Sequence, residues 1–462
     1  MDGAIEVFFM KVTAVLLAAG QGTRMKSDLP KVLHALCGKP MVWHVLEALK
    51  SATTEKPVVI VGHGAQAVKD YIGEMAECVL QEPQLGTAHA ALQAEPSLRG
   101  KSDLVIVTYA DMPLLRGETF QRLVETQHLN AGPLSLLTVF AEDPRGFGRI
   151  VRKADGTVEA IVEEYVATPE QRQIKELNVG AYCFNAAWLW DALHRIEKNP
   201  KKGEYYLTDI VELAVRENLP VQAVVHDDFV ETIGINTRVH LSEAEAALRA
   251  RINREHMLNG VSMMDPASTY IDAGVKLGRD TILMPNTYIH GNTTIGERNR
   301  IGPNTMIRDA KIGNGCKVLA SVLEGAVLED DVDMGPFARL RKGAHLKSHV
   351  HMGNFGEVKD STLHEGVKMG HFSYIGNANI GANTNIGAGT ITCNYDGIGK
   401  HPTEIGEDAF IGSDTMLVAP LKLGNGARTG AGAVVTKNVP DDTLVVGMPA
   451  RAIRKLERKK KN

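Results

Sequence analysis

The stretch YIHGNTTIGERNRIGPNTMIRD, residues 288–309, decides the fold of nearly half the chain. In it, Ile289, Ile295, Ile301 and Ile307 follow one another in steps of six, and the same step recurs from about residue 271 to about residue 446. A period of six matches neither an α-helix nor an ordinary strand, and it is typical of a parallel β-helix of hexapeptide repeats. We predict a triangular coil with aliphatic side chains inside. The glycine that often follows the aliphatic residue is expected to supply the positive φ of the corners.

Residues 10 to about 238 follow a different pattern, in which apolar strands alternate with helices. VTAVLLAA (12–19), PVVIVG (57–62) and DLVIVTYAD (103–111) each end in small or acidic residues. This alternation predicts a doubly wound, Rossmann-like α/β sheet whose ligands bind beyond the carboxyl ends of the strands. Residues 240–260 are rich in Ala, Glu, Arg and Leu and end in Asn-Gly, which predicts a helix with a glycine cap. We therefore predict an α/β domain at 1–238, a helical linker at 239–260 and an all-β domain at 261–462.

Composition excludes several classes of function. The 462 residues carry 51 basic and 55 acidic side chains, a balance that argues against nucleic acid as the main partner. The basic run at 454–461 is expected to be a frayed, solvated tail. No apolar run approaches the ~20 residues of a membrane span, the first residues do not form a signal peptide, and Met10 is a second candidate start. Five scattered cysteines are typical of reduced thiols, so a cytoplasmic protein is expected.

LAAGQGTRM, residues 17–25, follows the first strand directly and has the character of a phosphate loop. Gly20 and Gly22 allow backbone amides to approach a ligand. Met25 rules out the dinucleotide fingerprint, and the loop lacks the Walker A pattern. Arg24 and Lys31 add two cations, which suit a triphosphate and make both residues candidates for a catalytic role.

The run LAAGQGTRMKSDLPKVLH (17–34) resembles the signature of sugar-phosphate nucleotidyltransferases. Within them, the chain resembles the bacterial bifunctional family that acetylates glucosamine 1-phosphate and uridylylates N-acetylglucosamine 1-phosphate. The resemblance covers nearly all of the chain past Met10. The further segments that carry it are QEPQLGTAHA (81–90), GFGRI (146–150), IVEE (161–164), NVG (178–180), GEYYLTDI (203–210) and GIN (234–236). The family makes UDP-N-acetylglucosamine, a precursor of peptidoglycan and lipopolysaccharide.

The resemblance implies a UTP and sugar site with Mg²⁺. The nucleotide and sugar contacts implied are Leu17, Ala18, Ala19, Gly20, Lys31, Gln81, Gly86, Thr87, Tyr109, Gly148, Glu163, Asn178 and Asn236. The metal ligands implied are Asp111 and Asn236. Asp111 ends an apolar strand, which suits an oxygen ligand of Mg²⁺; taken alone it is more simply a residue that starts a turn, and the surrounding motifs favour the metal. Ala110 stands where the family usually has glycine, and we expect its methyl group to tighten the sugar pocket.

The second site must come from residues that break the six-residue repeat. Acetyl transfer to an amine needs a base, and imidazole suits this role near neutral pH. His371 occupies a non-aliphatic position beside Tyr374, and Arg341 and Lys359 are 18 residues, one coil, apart. Residues one coil apart stack at a strand spacing of ~4.8 Å, so these two cations predict a phosphate clamp. A single histidine among 16 is otherwise most simply a surface residue.

The resemblance assigns roles in this second site. It implies His371 as the base, with Glu357 as the residue that we expect to orient it. It implies a glucosamine 1-phosphate pocket of Arg341, Lys359, Tyr374 and Asn385. The acetyl-CoA groove implied consists of Ala388, Asn394, Tyr395, Ser413, Ala431 and Gly447. Departures are Lys342 in place of a common proline, Asp360 in place of a second lysine, and Gly447 in place of an arginine. A homotrimer formed through the β-helix is also implied.

Three functions remain in view from the sequence. The favoured one is a bifunctional enzyme that uses acetyl-CoA, UTP and Mg²⁺ and acts on small molecules. The second is a nucleotidyltransferase whose β-helix serves only for oligomerisation, and the group around His371 argues against it. The third is a non-catalytic subunit with both folds, and the intact loop residues Gly20, Arg24 and Lys31 argue against it.

Overall fold

The structure, a computed structural model, describes residues 10–200 and 202–455. Residues 1–9, which precede the second candidate start at Met10, lie outside the described residues. The chain divides into two compact units, Met1–Leu248 and Arg249–Asn462. The division into 1–238, 239–260 and 261–462 stays a prediction.

The first unit is built on one sheet. Its strands follow the order β11-β7-β10-β6-β1-β4-β5, and the hairpin β8–β9 is attached to β10. The pairs β1–β4, β1–β6, β4–β5 and β7–β11 are parallel, whereas β10 runs antiparallel to β6 and β7. The strands are β1 Val12–Ala18, β2 Ala35–Leu36, β3 Lys39–Pro40, β4 Val58–Val61, β5 Glu77–Leu80, β6 Leu104–Tyr109, β7 Leu134–Phe140, β8 Arg149–Arg152, β9 Val158–Val162, β10 Glu176–Asn185 and β11 Val221–His226.

Helices cover both faces of this sheet. The α-helices of residues 10–200 and 202–455 are α1 Met41–Leu49, α2 Ala65–Ile72, α3 Thr87–Leu92, α4 Glu95–Leu98, α5 Gly117–Leu129, α6 Ala186–Leu193, α7 Asp209–Arg216 and α8 Arg238–Leu258. Strand β1 explains the layering, because Ala14 and Leu16 belong to one apolar core while Val15 and Leu17 belong to the other. Successive side chains point to opposite faces, so a strand buried on both sides has a continuous apolar sequence. The predicted doubly wound sheet is confirmed, and antiparallel β10 is its one departure from a fully parallel order among the strands of the main path.

Helix α8 begins earlier than predicted and ends as predicted. It spans Arg238–Leu258, and Gly260 beyond it has a φ of 92°. The boundary between the two units falls inside it, after Leu248. Within residues 10–200 and 202–455, no helix has the length and apolar character needed to cross a bilayer.

The second unit is a left-handed parallel β-helix with three faces. The 12-stranded face contains 262–263, 282–283, 300–301, 317–318, 333–334, 351–352, 368–369, 385–386, 410–411, 428–429, 443–447 and 450–455. The 10-stranded face contains 269–271, 287–290, 305–308, 322–324, 339–340, 356–359, 373–376, 391–393, 416–418 and 434–435. The 9-stranded face contains 276–277, 294–295, 311–312, 327–328, 345–346, 362–363, 378–380, 403–405 and 421–423. The predicted triangular coil is confirmed.

The expected role of the corner glycines holds at some corners only: Gly302 and Gly335, which follow Ile301 and Met334, have φ values of 98° and 103°, whereas others do not. Gly353 follows Met352 and has no positive φ, but a Cβ there would lie 1.9 Å from the Gly370 carbonyl oxygen of the next coil. At other corners the left-handed position comes two residues after the glycine, at Arg298 (φ 57°) after Gly296 and at Asp414 (φ 55°) after Gly412. At these corners close stacking of the coils requires the glycine that follows the aliphatic residue, and the left-handed position is occupied by a polar residue or by a further glycine such as Gly315 (φ 67°).

The end of the chain also differs from the prediction. Arg454 and Lys455 lie in a final strand that pairs antiparallel with Thr443–Gly447, so they are not part of a frayed tail. The rest of the basic run lies outside the described residues.

Candidate active sites

A cavity of about 560 Å³ opens at the carboxyl ends of β1 and β6, where the doubly wound sheet predicts a ligand. Ten of the predicted residues lie on its wall: Leu17, Ala18, Ala19, Gly20, Lys31, Gln81, Gly86, Thr87, Tyr109 and Asp111. The wall also includes Gln84 and Glu204, which we did not predict although both stand inside motifs quoted above. Gln84 donates a 2.8 Å hydrogen bond to the Ala19 carbonyl oxygen and so braces the loop after β1.

The two glycines of the phosphate loop have different roles. A Cβ at Gly20 would meet no atom within 4 Å, so its backbone faces open space in the cavity. Gly22 has a φ of 62°, and a Cβ there would lie 2.6 Å from Lys31 Cβ. Gly20 therefore leaves room for a ligand, as predicted, whereas Gly22 leaves room for Lys31.

Replacement of Gly22 tests this reading. We expect Gly22→Ala to lower the rate of uridylyl transfer at least tenfold, because the methyl group would displace Lys31 in addition to straining a left-handed backbone by ~1–2 kcal/mol. The measurement is pyrophosphate release from UTP. Gly156→Ala is the matched control, since Gly156 has a φ of 85° and no atom within 4 Å of the added carbon. Equal losses in the two variants would attribute the effect to backbone strain alone.

Lys31 brings the two predicted metal ligands together. Its ammonium forms an ion pair with the Asp111 carboxylate and donates a 3.1 Å hydrogen bond to the Asn236 side-chain oxygen. Lys31 and Asp111 are both largely buried. The donor set fits Mg²⁺, since two oxygens that reach one ammonium also reach one metal ion, with phosphate oxygens and water as further ligands. No cluster of three or more His, Cys, Asp or Glu able to hold a metal occurs in the described part of the chain.

Gly86 joins the cavity to the segment 203–207. It has a φ of 106°, and a Cβ there would lie 2.4 Å from the Tyr205 carbonyl oxygen. The Tyr205 amide donates to Leu85, and the Leu207 amide donates to Thr87 Oγ1 at 2.9 Å. The GEYYLTDI motif is therefore held against the cavity by backbone contacts, which explains why Glu204 lies on its wall.

The predicted sugar-binding residues lie around Tyr109. Glu163 accepts a 3.0 Å hydrogen bond from Thr208 Oγ1, and burial raises the pKa of Glu163. Burial also raises the pKa of Tyr109, and the nearby Glu163 adds to this effect. Asn178 donates to Tyr182 Oη at 2.7 Å and accepts from the Gly180 amide. Its side chain thus holds the bulge in β10 and keeps only part of its hydrogen-bonding capacity for a ligand.

Three expectations for this unit are revised or left open by the structure. Ala110 is fully buried in the apolar core and does not line the cavity, so its methyl group does not tighten the pocket. Arg24 lies in an exposed turn at 23–25 and is not on the cavity wall. Gly148, Glu163, Asn178 and Asn236 also lie off this wall, although Asn236 reaches it through Lys31.

In the second unit, the predicted phosphate clamp lies on the 10-stranded face. Arg339 is the register partner of Glu357, and the Arg341 amide donates to the Val358 carbonyl oxygen, so Arg341 stands level with Lys359. Lys400 lies close to Lys359 and lowers its pKa, and Arg341 adds to the effect. Three cations therefore gather where a phosphate is expected.

Tyr374 lies beside this clamp, over Gly376. A Cβ at Gly376 would lie 2.5 Å from Tyr374 Oη and 2.7 Å from Asn394 Nδ2. Gly376 is the register partner of Lys359. Because Gly376 has no side chain, the Tyr374 hydroxyl and the Asn394 amide can both lie next to Lys359.

We expect Gly376→Ala to raise the KM for glucosamine 1-phosphate about tenfold, because the added methyl group would move Tyr374 or Asn394 and cost at least one hydrogen bond, ~1.5 kcal/mol. Release of CoA from acetyl-CoA measures the effect. Gly399→Ala is the control within the same region, as a Cβ at Gly399 would meet no atom within 4 Å. An unchanged KM in Gly376→Ala would remove Tyr374 from the acceptor pocket.

His371 heads a column along one edge of the β-helix. Lys368 pairs with Asn385 and Tyr374 pairs with Ile391, and this step of 17 places His371 level with Ala388. The Asp414 amide donates to Ala388 at 2.6 Å, and the Gly432 amide donates to Ser413 at 2.8 Å, so the column continues through later coils. A Cβ at Gly430 would meet the Val446 side chain at 2.8 Å, which aligns the next coil. The predicted acetyl-CoA residues on this column are Ala388, Ser413, Ala431 and Gly447.

Two predicted partners of His371 lie elsewhere. Glu357, which we expected to orient His371, accepts a 3.0 Å hydrogen bond from Arg341 instead. Asn385 belongs to the 12-stranded face, whereas Lys359 and Tyr374 belong to the 10-stranded face and Arg341 directly follows its strand 339–340. His371 stands at the edge between these two faces.

The insertion after residue 392 is a braced loop. The coil-to-coil step grows to 25 between Asn385 and Phe410, and Tyr395 forms an antiparallel bridge with Lys400. Asp396 accepts 2.8 Å hydrogen bonds from the amides of Ile398 and Gly399, and it lies 2.7 Å from His401. These contacts lower the pKa of Asp396. The loop thus holds Tyr395 and Lys400 at fixed places beside the clamp.

Comparisons with known proteins cover both units of the chain. The family model described as a MobA-like NTP transferase domain matches residues 14–168. Models described as bacterial transferase hexapeptide (six repeats) and hexapeptide repeat of succinyl-transferase match residues 274–309 and 402–437. The bifunctional protein GlmU of Geobacillus sp. (strain WCH70) is 47% identical over 446 residues, which are 96% of this chain and 97% of that protein. The chain belongs to the GlmU family.

Other GlmU proteins are similarly related. That of Syntrophomonas wolfei is 46% identical over 95% of this chain and 97% of its own length. That of Listeria welshimeri is 44% identical over 93% of this chain and 94% of its own length. The predicted family, fold class and bifunctional enzyme are confirmed. The chain is a uridylyltransferase and acetyltransferase of UDP-N-acetylglucosamine synthesis, and its substrates include a nucleotide and acetyl-CoA.

Proposed function

We propose that the β-helix acetylates glucosamine 1-phosphate and that the α/β unit then transfers a uridylyl group from UTP to the product. The observation that carries the two-step proposal is the column headed by His371, which runs from beside the clamp along the predicted acetyl-CoA residues. A β-helix that served only for oligomerisation would not need three cations, a phenol and an imidazole at one edge.

The uridylyl step needs positioning and charge neutralisation more than acid–base catalysis. The phosphate oxygen of N-acetylglucosamine 1-phosphate attacks the α-phosphorus of UTP, and pyrophosphate leaves. The nucleophile is already an oxyanion, so no base is required. Gly20 gives the phosphates room, and Lys31 and Arg24 supply positive charge. Asp111 and Asn236 would hold Mg²⁺, which supplies charge stabilisation to the phosphates when bound.

Lys31 would have to give up its contact with Asp111, with Asn236 or with both if these two residues held Mg²⁺. Its ammonium lies between Asp111 and Asn236, where a divalent cation would compete with it. With Mg²⁺ held by Asp111 and Asn236, the Lys31 ammonium would turn toward the phosphates of the nucleotide, so that neither the carboxylate nor the ammonium would be left without a counter-charge.

In the acetyl step, the amine of glucosamine 1-phosphate attacks the thioester carbonyl of acetyl-CoA. A C–N bond forms, the C–S bond breaks, CoA leaves, and His371 takes the proton of the amine. Arg341 and Lys359 would bind the phosphate of the acceptor, and Tyr374 would hold the sugar beside them. The carbonyl and pantetheine parts of acetyl-CoA would lie along the column of Ala388, Ser413, Ala431 and Gly447.

We also propose that the β-helix forms a homotrimer with sites between copies. Asn385 lies on a different face from Lys359 and Tyr374, around the edge that carries His371. A convex edge does not bring two faces of one prism to a single small sugar. A neighbouring copy that packs against this edge would supply the missing wall, so that Asn385 of one copy would complete the pocket of another.

One incubation tests the whole proposal. The full chain is given glucosamine 1-phosphate, acetyl-CoA, UTP and Mg²⁺, and we expect CoA and pyrophosphate to appear in sequence. Supply of N-acetylglucosamine 1-phosphate should remove the need for acetyl-CoA. Pyrophosphate release from that sugar phosphate without any CoA release from glucosamine 1-phosphate would leave a nucleotidyltransferase with an oligomerising β-helix.

A further inference from the structure

Arg149 is an almost completely buried arginine beside the predicted sugar site. Its side chain is 1% exposed and forms a 2.5 Å ion pair from Nη2 to Glu164 Oε2. Nη1 also donates a hydrogen bond to the Phe147 carbonyl oxygen. Among the described residues, Arg149 Nε and Glu164 Oε2 are buried and have no hydrogen-bond partner, so the contact to Glu164 is an ion pair and not a hydrogen bond. A buried charge is costly and often contributes less stability than an apolar side chain, so its geometry needs an explanation.

The register of the β8–β9 hairpin provides that explanation. Arg149 is the partner of Val162, and the antiparallel pairing continued outward sets Gly148 opposite Glu163 and Phe147 opposite Glu164. The guanidinium therefore links Phe147 to Glu164, the two residues that lie next to Gly148 and Glu163 at the open end of the hairpin. The paired residues of β8 and β9 end at Arg149 and Val162, so this side-chain contact connects the two segments beyond them.

Gly148 and Glu163 are held from the other side as well. The Gly148 carbonyl oxygen accepts a 2.9 Å hydrogen bond from the Asn178 amide, and Glu163 accepts from Thr208. A Cβ at Gly148 would lie 2.9 Å from Ile161 Cγ2, so β8 and β9 pack closely at this glycine. The guanidinium contacts the Phe147 carbonyl oxygen and the Glu164 carboxylate through two different nitrogens, which the single ammonium of a lysine cannot do in the same geometry.

We propose that Arg149 is a positioning residue that sets the spacing between Gly148 and Glu163 and thereby the affinity for N-acetylglucosamine 1-phosphate. This inference rests on the proposed sugar-binding role of those two residues. Arg149 does not line the cavity, so it acts on the sugar through the hairpin. The nucleotide part of the cavity lies on β1, β6 and α3 and is built independently of the hairpin.

The test is steady-state kinetics of the full chain with the Arg149→Lys variant. We expect the KM for N-acetylglucosamine 1-phosphate to rise about tenfold and the KM for UTP to change less than about twofold, since one charge-assisted hydrogen bond is lost. Acetyl transfer by the second unit should keep its rate. Glu164→Gln, at a 40% exposed position, should give the same split with a smaller rise because the Phe147 contact remains.

Arg152→Lys is the matched control. Arg152 lies on the same strand and forms a fork with Glu176, but it joins no residue next to Gly148 or Glu163. The KM of the Arg152→Lys variant for N-acetylglucosamine 1-phosphate should stay at the wild-type value. An unchanged sugar KM in Arg149→Lys, or equal rises in both KM values, would overturn the proposal. If Arg149→Lys melts early and loses all activity, Glu164→Gln decides, and an unchanged sugar KM there overturns it. Absence of uridylyl transfer in the wild type would instead remove the proposed function.

Discussion

Asp111→Ala is expected to lower uridylyl transfer about a thousandfold or more while acetyl transfer stays within about twofold of the wild type. Asp111 and Asn236 are the two oxygen donors that converge on one cation, and alanine removes the charged one. Loss of several kcal/mol of charge stabilisation corresponds to this factor, as each 1.4 kcal/mol is tenfold. Pyrophosphate release from UTP and N-acetylglucosamine 1-phosphate measures one activity, and CoA release measures the other.

The dependence of uridylyl transfer on Mg²⁺ tests the metal site directly. The wild type should show saturable activation by Mg²⁺, and chelation should stop pyrophosphate release without stopping CoA release. Asp111→Asn should retain part of the activity and need more Mg²⁺, because it keeps an oxygen donor and loses the charge. Asp28→Ala is the control. Asp28 is an exposed aspartate in the segment after β1, and this variant should behave like the wild type. Full uridylyl transfer by Asp111→Ala would show that Asp111 only starts the turn after β6.

The sequence predicted the parts of the fold that depend on periodicity. The six-residue step identified the inward positions of the β-helix, because each inward aliphatic such as Ile301 packs on its equivalent one coil away. It misjudged Gly353, since a one-dimensional pattern shows that a small residue is required but not whether φ or a close backbone contact requires it. It also assigned Ala110 to the pocket, because chain adjacency to Tyr109 and Asp111 does not tell which face of the sheet a methyl group occupies.

The candidate sites were predictable to the extent that their residues lie next to strand ends or at coil spacing. Lys31 and Asp111 are 80 residues apart, and only the doubly wound topology brings them together. The missed residues have weak signals for a physical reason. Glu204 reaches the cavity because Gly86 allows the Tyr205 backbone to approach, and Gln84 lies on its wall while it donates to the Ala19 carbonyl oxygen. Both are contacts between distant segments, which no local pattern encodes. The burial of Arg149 could not be predicted from the sequence either, since it depends on the hairpin and on the ion pair with Glu164.

His371→Ala is the second large expected loss, and it separates the bifunctional enzyme from a nucleotidyltransferase with a passive β-helix. We expect acetyl transfer to fall by 10²–10⁴, the usual contribution of a general base, with the KM for acetyl-CoA little changed. His371 is exposed at the edge where the clamp and the column meet, and it has no intramolecular hydrogen bond among the described residues, so its loss should not disturb the fold. Uridylyl transfer should remain at the wild-type rate.

A matched control makes this assignment decisive. His364→Ala removes an imidazole from the 9-stranded side of the same coil, where it contacts Asn379, and it should leave both activities intact. If His371→Ala acetylates glucosamine 1-phosphate at the wild-type rate, the base is another group. If only the KM for the sugar phosphate rises, His371 binds the acceptor and the proton passes to solvent, because a lost base lowers kcat while a lost contact raises KM.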